Sequence, residues 1–403
     1  MEMHASSKRI LIIGGGVAGP VLALFLDQAG FSVQVFEASS GRSQVGGALS
    51  LGPNGMNVLA AAGVIEQIRN VSVISSEWAF ENHHGKLLAF SRARDHAKRY
   101  GQTGVMITRA ALHRVVVDHA ETQGVPVHYN KRLLSIDDTP GQPIVARFSD
   151  GTTAEGDLIV GADGIRSQVR QAVMPHAPKP SYTGMMSPGG FSPCLDPTVG
   201  PRSDQRTHFV FGRNGFFGYF NTVTPDGPRT IWWSTACAPL ETKEQMATAS
   251  ESDLRQRIMA LHGDWAQPIP QLIQSATDIL DVAINDVPSL PSWSAGRTIL
   301  IGDAAHAVAP HSGQGASMAL EDAMFLAKLL RESNGESLEK IFVEFERHRR
   351  PRTDKVIALG RRNATHKEKM SALAYWFQQQ MIRIYIRVTA NRKEDWLLGY
   401  KVG

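Results

Sequence analysis

Residues 9–19 of the chain read RILIIGGGVAG, an apolar strand that runs directly into a glycine-rich turn. In the spacing Gly14-x-Gly16-x-x-Gly19, the first glycine permits a tight turn and the second lets the backbone approach a pyrophosphate. The third allows the next helix, predicted over residues 20–30, to pack closely on the strand. The N-terminal N–H groups of that helix would then point at phosphate. The pattern predicts the first unit of an α/β fold.

A carboxylate stands where a dinucleotide site requires one. The second predicted strand, residues 32–36, ends on Glu37, which follows Gly19 by 18 residues. A carboxylate at that point can accept hydrogen bonds from both ribose hydroxyls. Glycine-rich turns also occur where nothing binds, but a strand, turn, helix, second strand and acid in this order favour a nucleotide site. The motif alone does not distinguish NAD from FAD.

Two later strands also end in acidic, glycine-containing loops. The sequence DLIVGADG brings an apolar strand to Asp163, and RTILIGD brings another to Asp303. Open α/β sheets bind their ligands at the carboxyl ends of the strands. A helix predicted over residues 316–330, preceded by residues 313–315, can offer backbone donors to a flavin ring or a phosphate. Motifs at both ends of the chain therefore indicate one long cofactor, FAD.

With these motifs the chain resembles the single-component FAD-dependent aromatic hydroxylases, the group typified by para-hydroxybenzoate hydroxylase. The resemblance covers residues 8–175 and 285–360 well and the middle in outline. In length and in its C-terminal helix the chain is also similar to the tetracycline-inactivating monooxygenases. The resemblance implies an enzyme that uses NADPH or NADH and O₂ to hydroxylate an aromatic or polycyclic small molecule through a flavin C4a-hydroperoxide. NAD(P)H would dock transiently, because a second Gly-x-Gly-x-x-Gly motif is missing.

The resemblance also implies the residues of the cofactor site. Asp303 would bind the ribityl chain of FAD, Arg109 would contact its phosphate and flavin side, and Gly47 belongs to a segment beside the isoalloxazine. Arg42 either binds phosphate or is an ordinary loop arginine. The predicted cofactor residues are Gly14, Gly16, Val17, Ala18, Gly19, Glu37, Arg42, Gly47, Arg109, Asp163, Asp303, Pro310, Gly313, Gln314, Gly315 and Ala316. His306 is interpreted as structural and no catalytic residue is assigned, because flavin hydroxylation needs no histidine base.

The order of segments predicts an α/β architecture in which an FAD-binding Rossmann-like domain of the GR2 type interleaves with an antiparallel β-sheet substrate domain. The middle of the chain has short aromatic and β-branched runs separated by glycine, which is typical of such a sheet. A C-terminal helix completes the chain. The predicted boundaries are residues 1–72, 101–175 and 285–360 for the FAD-binding domain, 73–100 and 176–284 for the substrate domain, and 361–403 for the C-terminal helical segment.

Two predictions concern side chains outside the cofactor motifs. Phe220, Trp232 and Met186 are candidates for the wall of the substrate pocket, with packing inside the sheet as an equally favoured alternative. In the C-terminal helix, predicted over residues 365–388, the apolar residues at helical spacing are expected to pack in the core, and Trp376 is expected to face outward or towards the active site.

Composition sets limits on the partners. The 403 residues are 42% hydrophobic and 20% charged, as in an ordinary globular protein. The net charge of +4 comes without a basic run interleaved with aromatic residues, so no nucleic-acid partner is expected. Cys194 and Cys237 have neither metal-ligand spacing nor a disulfide framework, which predicts no metal and fits a reducing, cytoplasmic compartment. The sequence contains no apolar run of 18 residues, so no integral membrane association is expected. Both a monomer and a homodimer fit the sequence.

Three other functions share features with an aromatic hydroxylase. A tetracycline-type antibiotic-inactivating monooxygenase would use the same cofactor site. A flavin-dependent halogenase shares the first motif but is disfavoured, because Trp232-Trp233-Ser234 does not match the Trp-x-Trp-x-Ile-Pro signature of that class. A non-enzymatic flavoprotein redox sensor would need a partner surface or a docking cysteine pair, and the sequence shows neither.

Overall fold

The structure is a computed structural model that describes residues 8–41, 47–92, 95–240, 250–307, 310–364, 370–389 and 396–402. The strands are β1 (Arg9–Ile13), β2 (Ser32–Phe36), β3 (Ala48–Leu51), β4 (Val73–Asn82), β5 (Leu87–Arg92), β6 (Val105–Thr108), β7 (Val127–His128), β8 (Leu133–Asp137), β9 (Ile144–Phe148), β10 (Thr153–Gly156), β11 (Leu158–Gly161), β12 (Ser181–Met186), β13 (Gly189–Pro193), β14 (Asp204–Phe211), β15 (Phe216–Thr224), β16 (Gly227–Cys237), β17 (Thr277–Leu280), β18 (Ala283–Asp286), β19 (Ser294–Ala295) and β20 (Thr298–Leu300). The helices are α1 (Ala18–Gln28), α2 (Pro53–Ala61), α3 (Ile65–Asn70), α4 (His96–Tyr100), α5 (Arg109–Thr122), α6 (Gln168–Val173), α7 (Glu251–His262), α8 (Ile269–Gln274), α9 (Asp303–His306), α10 (Gly315–Arg331), α11 (Leu338–Ala364) and α12 (Ala372–Thr389).

A six-stranded sheet forms the nucleotide-binding half of the fold. Its order is β19-β20-β11-β1-β2-β7, and all of its strands are parallel except β19. Strands β1, β11 and β20 are almost fully buried, as expected for parallel strands covered on both faces. Helices α1 and α10 pack against each other and contribute to the same hydrophobic core. A small antiparallel sheet, β10-β9-β8, lies beside it.

The middle of the chain builds a larger sheet in the order β17-β13-β16-β15-β14-β4-β6-β3, with β12, β18 and β5 attached at its sides. Most neighbours are antiparallel, as predicted, but β4 pairs with β14 in parallel because the two strands are joined by a long excursion through the other domain. Strands β3 and β6 belong to this sheet although their residues lie in ranges assigned to the FAD-binding domain. The domain boundaries stay a prediction.

The two faces of the large sheet have different neighbours. Helices α7 and α8 cover one face, where Trp232 is 0% exposed and stacks on Phe217 with ring centroids 5.4 Å apart. The Trp232 indole N–H also donates to Ser192 Oγ at 3.1 Å. Trp232 therefore packs between the sheet and the helices, as in the alternative that the sequence left open, and its contact with a substrate stays a prediction. Phe220 and Met186 are buried, and their predicted contact with a substrate stays a prediction.

The C-terminal helix exists, but its predicted packing was wrong. Residues 365–369 lie outside the described residues, and α12 turns Tyr375 and Gln378 towards the protein. Trp376 faces outward, one of the two orientations expected. Most of the large apolar residues that were expected in the core are about half exposed or more: Leu373, Phe377, Met381, Ile384 and Tyr385. The helical spacing correctly identified one apolar face, but it did not reveal which face would contact the protein. Among the described residues, no helix is long and apolar enough to cross a membrane.

Candidate active site

Packing within the protein requires two glycines of the glycine-rich turn, and the third borders open space. Gly14 has φ +116°, and a Cβ there would lie 2.3 Å from the carbonyl oxygen of Ala162. A Cβ on Gly19 would lie 2.0 Å from the carbonyl oxygen of Gly14, so the packing of α1 on β1 requires both glycines. At Gly16 the same position meets no described atom within 4 Å. The open space above Gly16 is where a pyrophosphate would lie.

The N-terminus of α1 offers donors to that space. Val17 is its N-cap and Ala18 its first residue; no described side chain caps the helix, and its first turn carries no acid. The unpaired N–H groups and the helix dipole favour an anion at this position. His113 of α5 holds the turn from behind, with its Nε2 atom 2.8 Å from the carbonyl oxygen of Gly15. Sequence reasoning missed His113.

Glu37 is fixed at the end of β2 by two backbone groups. Its Oε2 accepts from the N–H of Gly15 at 2.8 Å, and its Oε1 accepts from the N–H of Ser39 at 2.8 Å. A carboxylate oxygen has two lone-pair positions, so each oxygen keeps acceptor capacity for a hydroxyl group. The geometry therefore fits the predicted contact with ribose.

Asp163 organises the loop after β11. Its Oδ2 accepts from the N–H groups of Gln168 at 2.7 Å and Val169 at 3.1 Å, so the carboxylate caps α6. Burial raises the pKa of the Asp163 carboxyl, and these hydrogen bonds oppose that rise. The buried Arg170 donates to the carbonyl oxygen of Ala304 at 2.7 Å and so ties this loop to α9. Direct contact of Asp163 with the cofactor stays a prediction.

Asp303 begins α9, shortly after β20 ends at Leu300, and lines a narrow crevice. Its side chain is reachable by solvent, yet the surrounding protein raises the pKa of its carboxyl by burial, while His306 and Arg109 lower it. The Asp303 carboxylate is therefore recessed but open to solvent, and the charge of Arg109 acts on it. A narrow crevice here is lined by Asp303, His306, Gly315, Met318, Thr353 and Val356.

Arg109 and Gly47 meet across the β3–β6 pair. Ala48 is paired with Thr108, and the N–H of Arg109 donates to the carbonyl oxygen of Gly47 at 3.0 Å. The Arg109 side chain is exposed, and a Cβ on Gly47 would meet no described atom within 4 Å. Both predicted residues therefore border open space on the cleft side. Arg42 lies outside the described residues.

The loop before α10 contains a second set of donors. Residues Pro310–Ser312 form a 3₁₀ turn, and Gly313 follows with φ +63°. Gln314 is buried as the N-cap of α10, and its Oε1 accepts from Asn54 Nδ2 at 3.1 Å. Within the described part of the chain no side chain caps this 17-residue helix, which starts at Gly315 and Ala316. Its N-terminus therefore favours an electron-rich group.

Four buried charges lie beneath this loop. Glu321 and Asp322 of α10 are both 0% exposed, as is Arg349 of α11, and Arg352 is 7% exposed. Arg349 contacts Asp322 Oδ1 at 2.6 Å and Glu321 Oε2 at 2.8 Å, while Arg352 contacts Glu321 Oε1 at 2.6 Å. Each charge is therefore paired, as burial demands.

Asp322 connects this charge network to the Asp303 loop. Its Oδ2 accepts from the N–H of Gly302 at 2.8 Å and lies 2.6 Å from His306 Nε2. Burial alone would raise the pKa of Asp322, but His306, Arg349 and these hydrogen bonds lower it to about 2. His306 is thus held as a structural partner, as interpreted from the sequence.

The C-terminal segment closes the network. Arg352 donates to the carbonyl oxygens of Trp396 and Leu397, the latter at 2.9 Å. The ring of Tyr400 lies against both guanidinium groups, with its centroid 4.1 Å from Arg352 Cζ and 5.3 Å from Arg349 Cζ. Sequence reasoning missed the arginines and Glu321. The available signal was a pair of acids inside the apolar run MALEDAMFLA of a helix.

These elements fit one extended nucleotide cofactor. The loops after β1, β2, β11 and β20 leave the same edge of the parallel sheet, because parallel strands end together. The adenosine diphosphate half of FAD fits the open space above Gly16, the N-terminus of α1 and Glu37. Asp303 and the N-terminus of α10 suit a polyhydroxyl chain and an electron-rich ring. Fold and site together define an FAD-binding protein.

Comparison with known proteins gives the family. The family model described as an FAD binding domain matches residues 7–359. The chain is 30% identical over 375 residues to 6-hydroxynicotinate 3-monooxygenase of Pseudomonas fluorescens, covering 89% of this chain and 92% of that protein. It is 31% identical over 390 residues to salicylate hydroxylase of Pseudomonas putida, covering 88% and 85% respectively.

Solved structures show the same fold. The structure of Klebsiella pneumoniae HpxO complexed with FAD and uric acid aligns with a TM-score of 0.84 and 23% identity, covering 100% of this chain and 99% of that one. The tetracycline destructase Tet(51) aligns with a TM-score of 0.69 and 21% identity, covering 96% and 98%. The chain belongs to the FAD-binding domain family and is an FAD-dependent monooxygenase of the aromatic hydroxylase class.

Gly16→Val tests the phosphate position. Because a Cβ at Gly16 meets open space, we expect the apo protein to fold with a nearly unchanged melting temperature, while the added side chain removes detectable FAD binding. Gly19→Ala is the matched control: its Cβ would overlap the Gly14 carbonyl, so it should destabilise the protein by about 1–3 kcal/mol or more. Tight FAD binding by folded Gly16→Val protein would place the phosphate elsewhere.

Asp303→Asn tests the recessed carboxylate. A charge-assisted hydrogen bond to the cofactor is lost, so FAD should bind roughly tenfold to a hundredfold more weakly in an equilibrium titration. The stability of the apo protein should increase, although its affinity for FAD falls. Because the folded-state pKa of Asp303 is raised, its ionisation reduces stability as the pH rises from the ordinary carboxyl range through that raised pKa. Apo Asp303→Asn should therefore melt higher than wild type at neutral pH, and the difference should shrink in acid.

Arg349→Met tests the buried network. The change leaves Asp322 and Glu321 without a buried cation, so the free energy of unfolding should fall by about 3–5 kcal/mol. Arg347→Met, two residues earlier on the same helix, breaks an exposed pair with Glu344 and should leave the free energy of unfolding nearly unchanged. Denaturant unfolding of both apo variants gives the comparison, and equal losses would contradict a special role for the network.

Proposed function

We propose that this enzyme hydroxylates a small planar aromatic molecule, with NAD(P)H as transient reductant and O₂ as the oxygen source. The proposed substrate pocket lies between the cofactor cleft and the face of the large sheet that is turned away from α7 and α8. The observation that carries the proposal is a cluster of aromatic rings on that face.

Trp233 is the centre of this cluster. Its indole lies over Gly218 of the neighbouring strand, where a Cβ would come within 2.3 Å of the ring. The centroids of Phe209 and Phe220 lie 6.2 Å from that of Trp233, and Phe216 lies at 6.3 Å. Trp233 and Phe209 are only partly buried, so the cluster offers exposed ring surface to a planar ligand.

The aromatic face continues to the cofactor segment. Ala48, Trp233 and Phe220 belong to one apolar cluster that also includes Met106 of β6. Ala48 directly follows Gly47, whose carbonyl oxygen receives the N–H of Arg109. A ligand on the aromatic face would therefore lie close to the segment that is expected beside the isoalloxazine. This continuity supports a pocket that shares a wall with the cofactor.

FAD, when bound, supplies the transfer of reducing equivalents and the activation of oxygen. The chain's own residues bind and orient the reactants and exclude water. The N-terminus of α10 offers backbone N–H groups to the ring, and the aromatic cluster lines a dry wall. His306 is occupied by Asp322, so we assign no general base.

The names of two relatives support the substrate class. One is named for 6-hydroxynicotinate and the other for salicylate, and both of these are small planar aromatic acids. A tetracycline-type substrate, the alternative considered above, is supported by fold likeness alone.

The proposal holds for a monomer and a homodimer alike, because one chain supplies every residue named here. Cys194 and Cys237 are not joined in a disulfide, which supports a cytoplasmic location.

The proposal is tested by substrate-stimulated NAD(P)H oxidation. A panel of phenols, hydroxypyridines and fused-ring phenols is added to the FAD-loaded enzyme under ¹⁸O₂, and NADPH is compared with NADH. We expect at least one planar aromatic compound to accelerate NAD(P)H oxidation and to gain one labelled oxygen atom. Stimulated oxidation that yields only hydrogen peroxide from every compound would contradict the proposed reaction.

Adjacent tryptophans provide a matched pair for the pocket. Trp233→Leu removes exposed ring surface, so we expect a higher KM or more hydrogen peroxide per NAD(P)H, with the apo melting temperature nearly unchanged. Trp232→Leu opens a cavity on the helix-covered face and should lower the free energy of unfolding by about 3–5 kcal/mol. If only Trp232→Leu altered KM, the pocket would lie on the other face.

A further inference from the structure

Helix α12 presents an apolar stripe to solvent. Seven large apolar side chains on it are between 49% and 66% exposed, whereas most large apolar residues of this chain are buried. A contiguous exposed patch of this kind marks an interaction surface rather than ordinary surface variation. We call these residues the outer stripe: Leu373, Trp376, Phe377, Met381, Ile384, Tyr385 and Val388.

The opposite side of α12 is firmly held by the protein. The Tyr375 hydroxyl donates to the carbonyl oxygen of Phe211 at 2.8 Å and lies 2.7 Å from His83 Nδ1. Asn82 Nδ2 donates to Gln379 Oε1 at 3.0 Å. Because these contacts fix the rotation of the helix, the outer stripe faces away from the protein as a defined part of the fold.

The width of the stripe decides what can cover it. With about 100° per residue, Leu373, Ile384, Phe377, Val388 and Met381 fall within about 80° of the helix circumference, and Tyr385 extends the stripe to about 120°. Trp376 lies about 60° from Leu373 on the other side, beyond Gln380 and Arg387. A single helix from a second copy covers only a narrow seam. A lipid interface covers the full width, and Trp and Tyr rings at its edges lie where such rings favour the headgroup level.

The charges beside the stripe select the lipid. Arg383 and Arg387 are the charged residues of the sequence 370–389, which contains no acid. By helical position Arg383 lies just outside Trp376, and Arg387 lies between Trp376 and Leu373. Arg383 donates to Gln380 Oε1 at 3.1 Å, and no carboxylate of the described residues pairs with it. A basic border on an apolar helix face complements anionic headgroups.

We propose that α12 docks the enzyme on an anionic lipid surface, with the outer stripe at the boundary between headgroups and acyl chains. The helix lies in the plane of the surface and does not cross it. This property is separate from the proposed hydroxylation, because none of the stripe residues belongs to the cofactor site or to the aromatic cluster.

Vesicle flotation tests the proposal with the full-length, FAD-loaded enzyme. One set of vesicles is pure phosphatidylcholine, and the other mixes phosphatidylcholine with phosphatidylglycerol. We expect the enzyme to float with the mixed vesicles more strongly than with the neutral ones. Added salt should weaken binding to the mixed vesicles, because it screens the arginines.

Variants separate the apolar and the charged contributions. Ile384→Glu should weaken binding to mixed vesicles roughly tenfold or more, since it removes one large side chain from the interface and adds a like charge. Arg383→Gln combined with Arg387→Gln should remove the preference for the mixed vesicles and leave the weak binding to neutral ones. Val343→Glu is the matched control, because Val343 is a 61% exposed apolar residue on helix α11.

The FAD absorbance and melting temperature of each variant establish that it is folded, and the double arginine variant tests the proposal independently of Ile384. Absence of wild-type binding to mixed vesicles would overturn the proposal, as would equal loss in Val343→Glu. A wild-type dimer that Ile384→Glu turns into a monomer, with no vesicle binding, would assign the stripe to a second copy instead. NAD(P)H oxidation in vesicle-free buffer should be unchanged in Ile384→Glu, so failure here leaves the proposed function intact.

Discussion

The pairing of two buried acids with two buried arginines holds α10 and α11 together where the ring of the cofactor is expected to bind. Glu321 and Asp322 come from α10, and Arg349 and Arg352 from α11. Because a buried charge without its partner is costly, the two helices can shift only by breaking several short contacts. Asp322 extends this constraint to the Asp303 loop through Gly302 and His306. The N-terminus of α10 and the recessed carboxylate therefore keep a fixed relation, as preorganised binding of one rigid ring requires.

The sequence predicted the strand and the helix around the expected phosphate position well, because most of what determines them is local. The strand, the turn and the helix of residues 9–28 are contiguous, and the constraint on Gly19 arises within that stretch, whereas Gly14 is also constrained by the carbonyl oxygen of Ala162. The charge network could not be found in this way. Asp322 and Arg349 are 27 positions apart, and an arginine in the run ERHRRPR of α11 has the sequence character of a solvated helix residue. Only the packing of two helices shows which of those arginines is buried.

Trp232 and Trp233 show a second limit of sequence reasoning. Successive strand residues point to opposite faces, so one of the two had to face each way. Both have a glycine beside them on a neighbouring strand, Gly190 for Trp232 and Gly218 for Trp233, and local pattern does not separate them. The choice is made by α7 and α8, which follow β16 in the chain and cover the Trp232 face.

Helices α10 and α12 have similar amphipathic patterns but opposite outcomes. In α10 the apolar side meets α1 and the sheet, and its buried acids are neutralised by α11. In α12 the side that meets the protein carries Tyr375, Gln378 and Gln379, and hydrogen bonds from Tyr375 and to Gln379 anchor it. An apolar periodicity indicates that one face of a helix favours contact with another apolar surface. The polar residues on the opposite face decide whether that contact is made within this protein. In α12 they already hold the helix, so its apolar face is left to another partner.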